Sequence, residues 1–161
     1  MVCFKFRWGL IVMKKYPMKF DHLGVVVNNL QEGRNHFIDI FSICKWTDEF
    51  HDSINKVNVQ FGFDENDMCF EIIAPIDNTS PIYNVIKKRI NILNHIAYKV
   101  DQIDKCVQHL QQDDFLILGE PSPAIAYHMK NIQFFYSKKF GYLLELIESP
   151  DHQHVISKNY S

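Results

Sequence analysis

The chain contains two copies of one pattern, and this internal repeat constrains its fold more than any other feature. Residues 21–37 read DHLGVVVNNLQEGRNHF and residues 94–110 read NHIAYKVDQIDKCVQHL, which align without a gap at an offset of 73 residues. A second pair of segments follows, with MCFEII at 68–73 and YLLELI at 142–147. The 161 residues therefore indicate two modules of the same plan rather than one ordinary domain.

Hydrophobic patterning predicts the same order of elements in both modules: a strand, a helix and three further strands. The helices begin near Leu30 and Ile103, where apolar residues recur at helical spacing. The predicted strands lie at 20–27, 45–50, 57–63 and 68–73, and then at 94–100, 115–118, 132–136 and 143–147. The predicted fold class is therefore α+β, with two tandem βαβββ modules.

The repeat also sets the expected boundaries along the chain. Between the two modules, a turn (DNTSP) precedes a short helix predicted at 81–89, where Pro81 suits the first helical turn. The predicted segments are an N-terminal extension outside the fold (1–17), the first module (18–76), a linker (77–93), the second module (94–150) and a C-terminal tail (151–161).

Composition and charge exclude several classes of protein. The 17 Lys and Arg residues are balanced by 19 Asp and Glu residues, so bulk charge does not favour nucleic-acid binding. The apolar run Gly9–Met13 is too short to span a bilayer, and we expect no membrane partner. The four cysteines form no CxxC pair and no secretion signal precedes them, which favours reduced thiols and a cytoplasmic protein.

Each module carries a histidine on its first strand and a glutamate on its last strand, at matching positions. These residues are His22 and Glu71 in the first module and His95 and Glu145 in the second. A carboxylate within an apolar strand needs a cation, a hydrogen-bond network or solvent. Two imidazoles and two carboxylates suit a divalent first-row cation, and the small residues Gly24 and Ala97 predict room for a ligand. The alternative is that the histidines are satisfied core residues and the glutamates face solvent on edge strands.

The repeated module, with His and Glu on its first and last strands, resembles the vicinal oxygen chelate superfamily, also called the glyoxalase/bleomycin resistance/dioxygenase fold. The methylmalonyl-CoA epimerase branch is most similar, through the segments DHLGVVVNNLQEG, FEIIAPIDNTSPIYNVIKKR, NHIAYKVDQID and LLELIESP. The resemblance implies a half-open, barrel-like sheet around one divalent metal ion (Co, Mn, Ni, Zn, Mg or Fe). Its ligands would be His22, Glu71, His95 and Glu145. It also implies a homodimer.

The same resemblance implies an epimerase or isomerase that acts on a 2-substituted acyl thioester, such as a CoA thioester, or on a related carbonyl compound. Glu145 would be the catalytic base and the metal would stabilise an enolate. An epimerase also needs a second base, and the family's third-strand glutamate falls near Asn58 to Gln60, amides that take no proton at neutral pH. Tyr127 and His128, in the loop PSPAIAYH, are candidates for substrate binding or proton donation.

Two other functions fit the sequence. A glyoxalase I-like lactoylglutathione lyase would use the same His–Glu–His–Glu set. The alternative of another class is a non-catalytic small-molecule binding protein of the antibiotic-resistance type. Members of that kind generally lack the metal ligands, so the presence of all four residues counts against it.

Overall fold

The structure is a computed structural model that describes residues 2–6, 9–13, 17–89 and 92–160. Strands β1 (Val2–Phe6) and β2 (Gly9–Met13) pair with each other in a two-stranded antiparallel sheet of their own. The other residues of the expected extension before residue 17 lie outside the described residues, as do 90 and 91 of the linker. That 1–17 stand outside the fold therefore stays a prediction.

The remaining elements follow the repeated plan, and the α+β fold class is confirmed. The first module contains β3 (Lys19–Val26), α1 (Leu30–Phe41), β4 (Lys45–Trp46), β5 (Phe50–Asp52), β6 (Val57–Phe63) and β7 (Cys69–Pro75). The linker contains α2 (Tyr83–Lys88). The second module contains β8 (Leu93–Lys99), α3 (Ile103–Gln112), β9 (Phe115–Ala124), β10 (Lys130–Ser137) and β11 (Leu143–Ile147).

The predicted strand at 45–50 is wrong in one respect, because it is two short strands, β4 and β5. The ladder breaks at Thr47, whose side-chain hydroxyl accepts the backbone N–H of Phe61 at 3.1 Å. A continuous strand would have accepted that N–H with a backbone carbonyl. Just after this break, the Glu49 carboxylate pairs with Arg34 at 2.9 Å.

Strands β3 to β11 form one nine-stranded sheet in the order β4-β6-β7-β3-β8-β11-β10-β9, with β5 also paired to β6. The first strands of the two modules, β3 and β8, are antiparallel neighbours at its centre. The last strand of each module flanks them in parallel, with β7 beside β3 and β11 beside β8. The four central strands are therefore those on which the repeated histidines and glutamates lie.

Helices α1 and α3 cover one face of the sheet, whereas Val85 and Ile86 of α2 pack on the other face, where a cavity lies. On the covered face, Leu30 and Phe37 of α1 pack with the buried Trp46, and the buried residues of α3 pack with Phe135 and Leu146. A third cluster, which includes Phe61, lies on the opposite face. Among the described residues, no helix combines the length and the apolar character needed to cross a bilayer.

The segment after β11 returns to the first module. Ile156 forms an isolated β-bridge with Thr47, and the backbone N–H of Ser157 donates to the Trp46 carbonyl at 2.8 Å. The guanidinium of Arg34 lies 4.7 Å from the centre of the Tyr160 ring. These contacts attach the C-terminal tail to edge strand β4 and helix α1 of the first module.

Candidate metal centre

Four side chains from the four central strands converge at one point. The Nε2 atoms of His22 and His95 lie 2.9 Å apart. The Oε2 atom of Glu71 is 3.3 Å from His22 Nε2 and 3.4 Å from His95 Nε2, and the corresponding distances from Glu145 Oε2 are 3.3 Å and 3.1 Å. All four residues are buried. The structure thus brings together the four residues selected by the repeat, although their binding of a metal remains a proposal.

Strand register explains why these side chains meet. Gly24 of β3 pairs with His95 of β8 on one side and with Glu71 of β7 on the other, while Glu145 pairs with Ala97. A Cβ atom on Gly24 would overlap the imidazole ring of His95. The expectation that Gly24 leaves room for a ligand is therefore wrong, because His95 itself occupies that space.

Hydrogen bonds on the far side of each ring fix which nitrogen carries the hydrogen. His22 Nδ1 lies 2.9 Å from an oxygen of Asp21, and since a carboxylate only accepts, Nδ1 is the donor. His95 Nδ1 donates in the same way to the amide oxygen of Asn94 at 3.1 Å. In their neutral forms, both rings then present Nε2 lone pairs to each other and to two carboxylates. Four acceptors this close repel one another unless a positive charge lies among them.

The cluster fits a divalent cation. Nitrogen and oxygen ligands about 2.0–2.2 Å from a shared ion lie about 3.0–3.4 Å apart in octahedral or tetrahedral geometry, close to the separations found here. Glu145 Oε2 is buried and faces the Nε2 atoms of His22 and His95 at 3.3 Å and 3.1 Å, which have no hydrogen to donate while the rings are neutral. A set of imidazoles and carboxylates without a thiolate suits a first-row divalent ion.

The pKa values of the cluster side chains also indicate that this site favours positive charge. Burial lowers the pKa of His22, but the charge of Glu71 and hydrogen bonds to its carboxylate neighbours outweigh burial and raise it well above the ordinary value. The pKa of His95 is raised in the same way, chiefly by Glu145 against the effect of burial. Burial raises the pKa of Glu71, yet the two histidines bring it down to about 2.

Asp21 lies directly behind His22 and binds three other groups. Its Oδ2 accepts from the Tyr127 hydroxyl at 2.7 Å and lies 3.1 Å from His154 Nε2, while its Oδ1 lies 2.9 Å from Lys99 Nζ. Burial raises the pKa of Asp21, but hydrogen bonds from His154 and His22 hold it well below its usual range. Asp21 therefore joins the two modules and the C-terminal segment behind one histidine of the cluster.

Sequence reasoning missed Asp21, because strict alternation along β3 places it on the face opposite His22. The pairing of β3 with β8 shifts register between Phe20 and Leu23, and Asp21 and His22 are both buried in consequence. The available signal was an acidic residue directly before a candidate ligand histidine.

The two candidates from the loop after β9 occupy different places. Tyr127 is buried beside the cluster, but its hydroxyl donates to Asp21, and burial together with the Asp21 charge raises its pKa well above the ordinary value. His128 is exposed with φ of 54°, and its ring lies 5.5 Å from that of His152, away from the cluster. Tyr127 thus shapes the site, and its hydroxyl is committed to Asp21 rather than to a substrate.

A cavity of about 250 Å³ opens onto the cluster. Its walls are mostly apolar, with Glu71, His95 and Glu145 among the lining residues. Strand β6 contributes Val57 and Val59 to the lining. The side chain of Gln60 instead binds Arg34 at 2.6 Å on the helix-covered face. The segment expected to hold a second base therefore presents a valine, Val59, to the cavity.

Asp52, another carboxylate that sequence reasoning missed, lies in the cavity wall. Its Oδ1 accepts the backbone N–H groups of Ile54 at 3.1 Å and Asn55 at 2.9 Å, and its Oδ2 accepts the Asn55 amide at 2.9 Å. The Asn55 amide also donates to the Pro123 carbonyl on β9 at 3.0 Å. Asp52 therefore organises the turn after β5 and, through Asn55, joins it to the second module across the cavity.

Comparison with known proteins agrees with this architecture. A family model described as the Glyoxalase/Bleomycin resistance protein/Dioxygenase superfamily matches residues 21–136. An uncharacterized protein of Bacillus subtilis (strain 168), YqjC, is 27% identical over 137 residues, which cover 84% of this chain and 96% of that protein.

Solved structures with the same fold extend over most of the chain. A hypothetical protein from Bacillus halodurans superposes with a TM-score of 0.71 at 22% identity, covering 86% of this chain and 99% of that one. Methylmalonyl-CoA epimerase from Mycobacterium tuberculosis gives a TM-score of 0.70 at 19% identity, with coverages of 84% and 91%. The Streptomyces coelicolor methylmalonyl-CoA epimerase, in complex with 2-nitronate-propionyl-CoA, gives 0.69 at 17% identity, with 86% and 100% covered. At these identities, the likeness shows the fold alone.

Proposed function

The chain belongs to the glyoxalase/bleomycin resistance protein/dioxygenase superfamily, and on that premise we propose that it is a metal-dependent enzyme that moves a proton at the carbon next to a substrate carbonyl. The observation that carries the proposal is the buried cluster of four acceptors, with Nε2 atoms 2.9 Å apart, beside an apolar cavity. The substrate class we propose is a 2-substituted acyl thioester, as for a methylmalonyl-CoA epimerase. Similar structures that are such epimerases support this choice.

His22, Glu71, His95 and Glu145 would hold one divalent ion. Bound there, the ion would stabilise the negative charge that develops on a carbonyl oxygen as the neighbouring carbon loses its proton. The apolar cavity walls exclude water, which strengthens electrostatic interactions at the site and protects the carbanionic carbon from solvent.

Glu145 is the base that we propose removes the proton. Its carboxylate lines the cavity, and its side chain is only 4% exposed. An epimerase must also return a proton to the opposite face, and Val59 cannot do so. Glu71 comes from the other module, lines the same cavity and has a side chain that is 10% exposed, and we assign it to the second face.

The cavity volume limits which part of a thioester can enter. About 250 Å³ accommodates a small acyl group, and the described lining residues include no Lys or Arg to bind phosphates. We therefore propose that the acyl end occupies the cavity while the CoA portion lies outside it. The homodimer implied by the sequence resemblance remains a prediction.

One observation favours a second candidate, a lactoylglutathione lyase-like reaction. The cavity side of β6 carries Val57 and Val59 and thus no carboxylate. Moving one proton between neighbouring carbons on a single face needs only one base, which Glu145 can supply. A hemithioacetal formed from methylglyoxal and glutathione is the substrate that distinguishes this candidate.

The experiment begins with protein purified without chelator or added metal, followed by metal analysis and reconstitution with Co, Mn, Ni, Zn, Mg or Fe. Reconstituted protein is then incubated in deuterated water with methylmalonyl-CoA, and deuterium incorporation at the α-carbon is measured. We expect one ion per chain and rapid incorporation. For the enantiomer whose proton faces Glu145, the Glu145→Gln variant should lose incorporation by at least about a hundredfold, and Glu65→Gln, in the exposed β6–β7 turn, should not.

Three outcomes separate the candidates. Incorporation with racemisation of methylmalonyl-CoA supports the epimerase. Turnover of the hemithioacetal alone supports the lyase-like enzyme. Metal binding without proton exchange in either substrate contradicts both and supports the non-catalytic binding protein.

A further inference from the structure

The orientation of His22 depends on Asp21, and the position of Asp21 depends in turn on the C-terminal segment. Asp21 Oδ2 accepts from His22 Nδ1, from the Tyr127 hydroxyl and from His154 Nε2. His22 and Asp21 are neighbours in sequence, whereas His154 is 133 residues from Asp21 along the chain. The last of these three bonds therefore exists only when the C-terminal segment is docked.

His154 is held in place on two sides. Its side chain is 5% exposed, and its ring stacks on Phe61 with centroids 4.0 Å apart and planes at 29°. Phe61 is completely buried and makes an edge contact with the His22 ring at 5.4 Å. Stacking fixes the plane of His154 and thereby aims Nε2 at Asp21, 3.1 Å away.

Lys99 secures the same segment at a second point. Its Nζ lies 2.9 Å from Asp21 Oδ1 and donates to the backbone carbonyl of His152 at 2.8 Å. Without His154, Asp21 Oδ2 would lose one of its three donors, and the carboxylate would lose its side-chain bond to the C-terminal segment. The carboxylate that orients His22 would then be held less firmly in position.

The second histidine of the cluster has a different arrangement. His95 Nδ1 is bonded to the amide of Asn94, which occupies the repeat position equivalent to Asp21. His154 therefore acts on only one of the two modules, through a carboxylate that Asn94 does not reproduce.

We propose that His154 is a positioning residue of the metal centre, which fixes His22 through Asp21 so that the centre is complete only when the C-terminal segment is docked. This inference rests on the proposed function, because it assumes that His22 binds a metal ion. It assigns the segment after β11 a part in metal affinity, beyond its packing against β4.

Three variants test the role of His154. His154→Phe keeps a ring on Phe61 and removes the donor, while His154→Gln keeps an N–H donor. His152→Phe is the matched control in the same segment, because the His152 ring makes edge contacts with Tyr127 and His154 and a tilted contact with His128 but, within the described residues, its Nε2 has no hydrogen-bond partner. Co²⁺ affinity is measured by competition with a chelator, together with the visible spectrum of bound Co²⁺ and the unfolding of the metal-free protein.

We expect His154→Phe to bind Co²⁺ at least about tenfold more weakly than wild type and to show an altered spectrum. The affinity of His154→Gln should be close to that of wild type, because this side chain keeps an N–H donor. The affinity of His152→Phe should stay within about twofold of wild type. Equal affinity in wild type and His154→Phe would overturn the inference alone, as would equal losses in His154→Phe and His152→Phe. Failure of the wild-type protein to bind any Co²⁺ would overturn the proposed function and the inference with it.

An NMR measurement on the wild-type protein keeps the inference testable if His154→Phe does not fold. The ¹⁵N spectrum of the histidine rings should show a slowly exchanging proton on His154 Nε2 and on His22 Nδ1. A His154 ring with its proton on Nδ1 alone would overturn the proposal, because Nε2 could not then donate to Asp21.

Discussion

Gly24 and His95 are paired across β3 and β8, and the imidazole ring of His95 fills the space where a side chain on Gly24 would lie. The two central strands thus bring one candidate ligand directly over the backbone of the strand that carries the other. Glycine is required at this position by close approach, since any Cβ would overlap the ring.

Gly24→Ala should therefore disrupt the centre. The methyl group must displace His95, and we expect Co²⁺ affinity to fall by at least about tenfold, with the free energy of unfolding lowered by about 1–3 kcal/mol. Isothermal titration and urea denaturation measure the two effects. Ala97→Gly, at the equivalent position of the second module, removes a methyl group without displacing either ring and should retain the affinity. Wild-type affinity in Gly24→Ala would contradict the geometry described for His95.

Changing each of the two glutamates to glutamine should have a different effect on catalysis. We expect Glu145→Gln to abolish proton exchange from the enantiomer whose proton faces Glu145 and to retain exchange from the other, because Glu71 serves the opposite face. Glu71→Gln should retain exchange at one enantiomer and lose net racemisation, because the opposite face has no base. Deuterium incorporation and circular dichroism of the thioester report these two quantities separately. If Glu71→Gln racemises at the wild-type rate, Glu71 is not the second base.

The metal-free protein should become less stable as pH rises. His22 and His95 have pKa values raised above the unfolded value of 6.5, so their stabilising charge is fully present below about pH 6.5 and is lost as pH rises through the raised values. Glu71, with a pKa of about 2, stays ionised across this window and adds no slope. Urea denaturation of chelator-treated protein between pH 6 and 9 should show a falling free energy of unfolding.

Metal-loaded protein gives the control for this prediction. A cation replaces the protons at the cluster, so metal affinity, and with it the stability at fixed metal concentration, should rise over the same pH range. Parallel pH dependence of the metal-free and metal-loaded proteins would be inconsistent with a shared site for protons and metal.

Tyr127→Phe should impair stability more than catalysis. The hydroxyl donates to the buried Asp21 carboxylate at 2.7 Å, so its removal should lower the free energy of unfolding by about 1–3 kcal/mol. The ring still lines the cavity, and we expect kcat to stay within about tenfold of wild type. A loss of kcat greater than about a thousandfold, with metal content unchanged, would instead identify Tyr127 as the proton donor.

The sheet and the four cluster residues could be predicted from the sequence because of the repeat. The first and last strands of each module, β3, β7, β8 and β11, lie together at the centre of the sheet, so residues at matching repeat positions meet there. Residues whose type is not repeated in the other module had no such guide. Asp21 depends on a register shift, and His154 depends on a segment that packs on the opposite module. Neither a local irregularity in pairing nor a contact across 133 residues leaves a periodic pattern in the sequence.

The absence of a base on β6 illustrates the same limit. Resemblance located the segment at Asn58 to Gln60, but only the pleat of β6 shows that Val59 faces the cavity while Gln60 binds Arg34 behind it. A shift of one residue along a strand exchanges the two faces, so approximate alignment cannot decide which side chain meets a substrate.

The most direct measurement of the central claim is the anomalous diffraction of crystals grown with Co²⁺. We predict one strong peak per chain, surrounded by the Nε2 atoms of His22 and His95 and by carboxylate oxygens of Glu71 and Glu145. The absence of an anomalous peak at this point, in crystals of well-folded protein grown in excess Co²⁺, would contradict the assignment of the cluster as a metal centre.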